Sequence, residues 1–221
     1  MAIAAMNSLT PNQVRDMFLY VGQKVVENKP FLTKIDSAIG DGDHGIVMSV
    51  GFTKAEENLK GKEFSNVNDV FKTVGMSMIS SMGGASGVIF GTMFVGGVKK
   101  LEMKETLDLQ LLAEIFEGAL EAIKQRGKAE VRDKTMVDAL QPAVYALKES
   151  VEKNFSLVEG LRKAEEGAHQ GVENTKNYVA KFGRAKSLGE RSLGHQDAGA
   201  TTVWIIFKSM REWVEEGLQD D

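Results

Sequence analysis

The chain has no cysteine, so a disulfide framework, a thiolate metal site and a cysteine nucleophile are all excluded. A reducing cytoplasm permits that composition, and a cytoplasmic location is expected. Proline is scarce, with three in 221 residues, which suits long uninterrupted helices. No apolar run approaches the roughly 20 residues of a membrane span, so no membrane association is expected. The start, Met1 to Ser8, carries no charged segment ahead of an apolar stretch, which argues against a secretory signal. A basic block is also missing. Lysine plus arginine number 27 against 31 aspartate plus glutamate, and a net charge of −4 gives little electrostatic reason to bind nucleic acid. The remaining composition, 43% hydrophobic and 26% charged, is that of a folded globular chain long enough for a full core.

Glycine is what stands out. The chain has 23, above the usual ~7%, although a helical protein should avoid glycine unless it needs special backbone. The glycines gather at Gly40 to Gly51, Gly75 to Gly97 and Gly183 to Gly199. They are expected to be sparse along the helical stripes and to mark three loop regions.

The apolar period is helical. Val14, Phe18, Val21 and Val25 form one stripe, opened by the cap-then-proline pair Thr10-Pro11. Leu112, Ile115, Phe116, Ala119 and Ile123 form another, and Val203, Ile206, Phe207, Met210 and Val214 a third. The pattern predicts helices over 11–28, 46–60, 67–82, 86–102, 108–126, 135–152, 156–179 and 198–217. No segment alternates with period two, and no composition break marks a linker. A single all-α domain over 1–221, of about eight helices, is expected. His169 is expected at the surface, and Met76, Met78, Met82 and Met93 in the core.

Four stretches could carry chemistry. In Asp36-Ser37-Ala38-Ile39-Gly40-Asp41-Gly42-Asp43-His44-Gly45, glycines let the loop fold sharply, so three carboxylates can converge. Converging carboxylates repel unless a cation sits among them, and hard oxygen ligands suit Mg2+ or Ca2+. The spacing does not fit an EF-hand, and Mg2+ with phosphate is the chemical reading; a solvated turn capping the next helix is the alternative. The second stretch, Ser80 to Gly87, leaves backbone N–H groups free at a helix start, an anion site or simply a tight turn. Within Arg126 to Leu140, Asp133 or Thr135 can cap the helix that follows. In Gly183 to Ala200, a long glycine-rich loop with arginines can be a lid or an exposed structural loop.

Together these motifs resemble the nucleotide-binding (L) subunits of dihydroxyacetone kinases, the Dak2-type domain family. The shared motifs are G-D-x-D-H-G at Gly40 to Gly45, S-x-G-G-A-S-G at Ser81 to Gly87, R-G-x-A-x-x-x-D-K-T-M-x-D at Arg126 to Asp138, and G-R-A…L-G-E-R-S-x-G-H-Q-D-x-G-A at Gly183 to Ala200. The resemblance implies a closed barrel of eight antiparallel amphipathic helices with the nucleotide at one end. It implies that Asp36, Asp41 and Asp43 hold two Mg2+ ions bridging the phosphates of ADP or ATP. It implies nucleotide contacts from His44, Gly45, Ile46, Val47, Ala85, Ser86, Gly127 and Met136, with Arg184, Asp197, Ala198 and Gly199 closing over. The acceptor, dihydroxyacetone, would sit covalently on a histidine of a partner K subunit, so no catalytic base is expected here. An M subunit relaying phosphate from phosphoenolpyruvate is a second implied partner, and a homodimer is compatible. Alternatives are an ATP-dependent kinase subunit for a ketose such as erythrulose, a nucleotide-bearing module docking on a transcription factor, and a fatty-acid kinase domain; the last is disfavoured because no extension follows the final helix. The sequence departs from the family pattern at Val47 and Ser49, where asparagine is common, at Arg132, where glycine is usual, and at Ala198, where proline is common.

Overall fold

The computed structural model describes residues 7–217. The segment read above for a secretory signal therefore lies almost wholly outside the described residues. Among the described residues nine α-helices follow one another: α1 Pro11–Glu27, α2 Lys29–Ile39, α3 His44–Leu59, α4 Val67–Ser81, α5 Gly84–Val98, α6 Leu109–Gly127, α7 Val137–Glu152, α8 Leu157–Thr175 and α9 Ala198–Gly217. A 3-10 segment, Arg184–Ser192, precedes α9.

Helices pack side by side in the order α1, α3, α4, α5, α6, α7, α8, α9, and α9 closes back on α1. This is a closed barrel of eight helices. The ninth, α2, packs mainly on α3 and also touches α9 and the 3-10 segment. Consecutive barrel helices run antiparallel, so the N-termini of α3, α5, α7 and α9 gather at one end. At the other end lie the starts of α1, α4, α6 and α8. Each of these is closed by a side chain, from Thr10, Asn66, Asp108 and Ser156 respectively, and Thr10 and Ser156 form full capping boxes with Gln13 and Glu159. A two-residue antiparallel pairing of Ser8–Leu9 with Leu107–Asp108 joins the chain ahead of α1 to the chain ahead of α6 at that end.

The core follows the apolar stripes. Phe18, Phe71, Phe94, Phe116 and Phe207 are buried. Their rings form a continuous line across α1, α4, α5, α6 and α9, with centroids 4.8 to 6.4 Å apart. No helix among the described residues is long and apolar enough to cross a membrane.

The structure departs from the sequence reading in several places. Residues 29–39 form α2, a helix the apolar stripes do not predict; only Leu32 and Ile39 of it are buried, too few to make a visible stripe. α3 begins at His44, two residues earlier than expected, and α8 stops at Thr175 rather than 179. The stretch 183–200 is not wholly irregular, since it holds the 3-10 segment. Met76 is 54% exposed and is not core, whereas Met78, Met82 and Met93 are buried. His169 is exposed as expected, and its ring lies against Trp204.

The glycine expectation also needs correction. Much of the middle cluster lies inside helices, where it lets two backbones approach. A Cβ on Gly75 would stand 2.6 Å from the Gly91 carbonyl oxygen, and one on Gly91 would stand 2.8 Å from that of Gly75, across the α4–α5 contact. The α7–α8 contact works the same way. Pro142 lies inside α7 and cannot donate to the Asp138 carbonyl, and Gly171 of α8 packs closely against that oxygen.

This gives a test of the close approach. In a free helix, Gly→Ala gains about 1 kcal/mol. At Gly171 the new methyl would lie 2.1 Å from the Asp138 oxygen and 2.7 Å from the Ala139 Cα, both backbone atoms that cannot rotate away. Overpacking at about 1–3 kcal/mol should outweigh the propensity gain. Gly171→Ala should therefore lower the urea midpoint; a midpoint at or above the wild-type value would contradict the packing.

Candidate functional site

The four helix N-termini surround a cavity of about 770 Å3, a size that takes a small organic ligand. One wall is the aspartate loop between α2 and α3. Another is the turn into α5, and a third the loop into α7. The start of α9 and the residues Phe182 to Ala185 close the remaining side.

The aspartate loop is built by its glycines. The N–H of Gly40 donates to the Asp36 carbonyl at 2.6 Å, ending α2. A Cβ on Gly40 would lie 2.4 Å from Asp36 Oδ1, so only glycine leaves that carboxylate its place. Gly42 turns the chain with φ of 76°, a left-handed conformation. The result brings one carboxylate oxygen from each of Asp36, Asp41 and Asp43 within 4.8 Å of the others. Asp36 also accepts from the His44 N–H at 3.2 Å. Burial raises the Asp43 carboxyl above its ordinary range, and the neighbouring Asp41 and Asp36 carboxylates raise it further, against the opposing pull of Arg184. Arg184 reaches over from the 3-10 segment and pairs through Nε with Asp41 Oδ2 at 2.8 Å. Both partners are exposed, so the pair adds little stability, but it places a guanidinium at the mouth of the acidic cluster.

The helix starts at this end differ from those at the other. The N-cap residues of α3, α5 and α7, which are Asp43, Gly83 and Met136, make no side-chain capping hydrogen bond. Gly83 and Gly84 both have positive φ, 65° and 60°, which turns the chain sharply into α5. Thr135 Oγ1 accepts from Val137 N–H at 3.2 Å and partly serves α7. α9 is closed by Asp197, whose Oδ2 accepts from Ala200 N–H at 2.7 Å and whose side chain lines the cavity. Helix starts with free N–H groups carry partial positive charge, and at α3 and α5 this charge faces the cavity.

His44, at the start of α3, is buried, and its Nε2 lies 2.8 Å from Thr202 Oγ1 of α9. Burial pushes the imidazole down to about 4, against the opposing pull of Asp36, so the ring is neutral at physiological pH. Across the cavity, the loop into α7 is held by Asp138, which accepts from the N–H groups of Arg132 at 2.6 Å and Thr135 at 2.8 Å. Arg132 and Lys134 flank Asp133 with φ of 77° and 61°. Burial would raise the Asp133 carboxyl, but Lys181 at 2.6 Å and the Glu130 N–H hold it below the ordinary range. Burial also drives the Asp197 carboxyl up to about 7; the Ala200 N–H opposes this, and nearby Asp138 reinforces it.

Of the site residues named from sequence, all but three line this cavity: Asp36, Asp41, Asp43, His44, Val47, Ala85, Ser86, Met136, Arg184, Asp197, Ala198 and Gly199. Gly45, Ile46 and Gly127 do not. Gly45 faces α2, where a Cβ would lie 2.3 Å from the Lys29 carbonyl oxygen. Ile46 is 48% exposed on α3. Gly127 ends α6 behind Ile89, which is itself a lining residue. The sequence reading missed Lys134 and Thr135, which line the cavity within a loop read as helix capping, and the apolar Ile39, Ile89, Phe90 and Phe182. The left-handed backbone that turns Lys134 has no sequence signal, because neither residue concerned is glycine.

Comparison with known proteins gives a consistent picture. The family model described as DAK2 domain matches residues 38–212. The chain is 37% identical over 203 residues to the ADP-binding subunit DhaL of the PEP-dependent dihydroxyacetone kinase of Escherichia coli (strain K12), covering 92% of this chain and 97% of that one. It is 41% identical over 189 residues to the ADP-binding subunit DhaL of PEP-dependent dihydroxyacetone kinase 1 of Listeria innocua, covering 86% and 89%. The L-erythrulose kinase of Pectobacterium atrosepticum is 34% identical over 190 residues, which are 84% of this chain but 32% of that longer one. The fold is similar to the crystal structure of the dihydroxyacetone kinase from C. freundii in complex with AMP-PNP and Mg2+, with a TM-score of 0.70 and 26% identity over 90% of this chain and 33% of that one.

The placement of His44 sets a pH test. Its folded value of about 4 lies below the ordinary imidazole value of 6.5, so the unfolded chain binds more protons between the two. The contribution is fully present above about pH 6.5 and is lost as pH falls toward 4, a change of about 3 kcal/mol. Asp197 titrates with the opposite sign in this range, so the comparison must be with a variant that keeps it. In urea unfolding of metal-free protein, the advantage of wild type over His44→Gln should shrink by that order between pH 7 and 4. A difference independent of pH would contradict the burial.

Proposed function

The chain belongs to the DAK2 domain family, and we propose that it is the ADP-binding L subunit of a dihydroxyacetone kinase, passing a phosphoryl group from Mg2+-bound nucleotide to dihydroxyacetone on a partner K subunit. The observation that carries this reading is the convergence of three carboxylates and several helix starts on one cavity. That donor set fits the metal: hard oxygens, close enough to share ions, beside space for phosphate. Asp36, Asp41 and Asp43 would hold two Mg2+ ions, which when bound would neutralise phosphate charge.

The chain's own residues then do the positioning, which is most of what phosphoryl transfer asks of a protein. The free N–H groups at the starts of α3 and α5 bind phosphate oxygens. Arg184, already at the mouth, adds a cation where charge builds in transfer. Ile39, Ile89, Phe90 and Met136 supply an apolar wall for the base and exclude water. His44 is neutral and bound to Thr202, so it orients the start of α3 and takes up no proton.

The names of the E. coli and Listeria relatives, ADP-binding subunits of PEP-dependent dihydroxyacetone kinases, support a chain that works with a K chain and a phosphoenolpyruvate-linked M chain. The similarity to one third of an erythrulose kinase keeps an ATP-exchanging subunit as the second reading. ADP that survives gel filtration and is rephosphorylated in place supports the first; free ATP turnover supports the second.

Asp41→Asn and Asp43→Asn test the site. Each should weaken binding of ADP with Mg2+ at least 100-fold by calorimetry, and each should leave the helical circular dichroism spectrum unchanged. Chelation by EDTA should release nucleotide from the wild type. Variants that retained nucleotide with Mg2+ at the wild-type level would overturn the assignment.

A further inference from the structure

Lys134 is the one lysine with a buried side chain among the described residues, and the reading above gives it no task. Its residue is 2% exposed. It makes no ion pair within 4.0 Å among the described residues, so its charge is not neutralised by direct contact with a carboxylate. Its ammonium instead donates to two main-chain carbonyls, those of Thr175 at 2.6 Å and of His195. A buried ammonium is costly, and an apolar side chain of similar length would fill the same volume without that cost. The backbone is turned into a left-handed conformation at Lys134, where glycine would be easier. Both costs point to a specific use of the ammonium.

The two carbonyls show the use. Thr175 ends α8, and His195 lies in the short segment that enters α9. The same Thr175 accepts the Asp197 N–H on its hydroxyl at 2.9 Å, and Gly194 N–H donates to the Lys176 carbonyl at 2.7 Å. The segment 194–197 is thus pinned to the end of α8 at both ends, and Lys134 adds the tie that crosses to the loop before α7. Gly199, two residues on, lies against Met136, in the same loop as Lys134. Asp197, Ala198 and Gly199 form a wall of the cavity.

We propose that Lys134 is a positioning residue: its ammonium ties the segment entering α9 to the end of α8 and to the loop before α7, and so holds the Asp197–Gly199 wall in place for nucleotide. The purpose of the wall rests on the nucleotide reading; the tie itself does not. Lysine does this where a backbone contact could not, because its three donors can bond carbonyls that diverge from one point.

The test is amide hydrogen exchange by mass spectrometry, with calorimetric titration of ADP plus Mg2+, on the full chain. In Lys134→Met, amides 194–199 should exchange at least tenfold faster than in wild type while α4 and α5 keep their protection. The dissociation constant for ADP should rise at least tenfold. Lys134→Arg, which keeps several donors, should recover most of both losses; a merely space-filling role predicts the reverse order, with methionine tolerated better than arginine. Unchanged exchange at 194–199, or acceleration spread evenly over all helices, would overturn the proposal. If Lys134→Met does not fold, Lys134→Gln takes its place: its shorter amide cannot make both carbonyl bonds of the ammonium, and unchanged exchange at 194–199 would then overturn the proposal. A wild type that fails to bind ADP, yet shows the local exchange effect in Lys134→Met, would sink the nucleotide reading and leave the tie standing.

Discussion

Three carboxylates within 4.8 Å of one another repel, and a positive potential beside them lowers that cost. Much of this structure follows from supplying it. An even-numbered closed ring of antiparallel helices brings alternate N-termini to one end. At the far end those starts are capped by Thr10, Asn66, Asp108 and Ser156. At the near end the cap residues of α3 and α5, Asp43 and Gly83, make no side-chain capping hydrogen bond. The guanidinium of Arg184 adds a full charge on the same side as the partial charges of the helix ends. Acidic loop and helix starts are therefore two halves of one electrostatic arrangement, suited to a metal ion on one side and phosphate on the other.

Holding the ring closed is a packing problem, and glycine solves it. At Gly75 and Gly91 each helix occupies the space a neighbouring Cβ would need. At Gly171 the backbone of α8 packs against the carbonyl that Pro142 leaves free in α7. That carbonyl belongs to Asp138, whose carboxylate also holds the Arg132–Thr135 loop at the cavity edge. Barrel packing and site geometry thus meet in one residue, and a change in the α7–α8 distance moves a wall of the site.

The departures from the family pattern acquire physical meaning in the fold. Arg132, where glycine is usual, has φ of 77°, the conformation glycine adopts without strain. Ala198, where proline is common, is the first residue of α9, where a fixed proline φ and a missing N–H are both tolerated. Val47 lines the cavity, so its loss of a polar side chain changes the ligand surface directly. Ser49 is buried and bonds the Gly45 carbonyl at 2.8 Å, so its replacement acts within α3 and not at the cavity.

The sequence alone determined the helical class, most helix positions and the aspartate–glycine loop. Apolar periodicity, the Thr10-Pro11 helix start and the aspartate–glycine loop are local signals carried by spacing and residue type. α2 escaped because it buries only Leu32 and Ile39, and periodicity reports burial. The role of the helical glycines escaped because sequence spacing cannot say whether a glycine is there for its φ or for a neighbour's backbone. Only the tertiary structure decided that Asp36, Lys134, Arg184 and Asp197 share one cavity, since they come from four segments brought together by ring closure. Only it decided which of the named residues face that space. Gly45 and Ile46 adjoin His44 in sequence, but a helix turns about 100° per residue, so adjacent positions point to different neighbours.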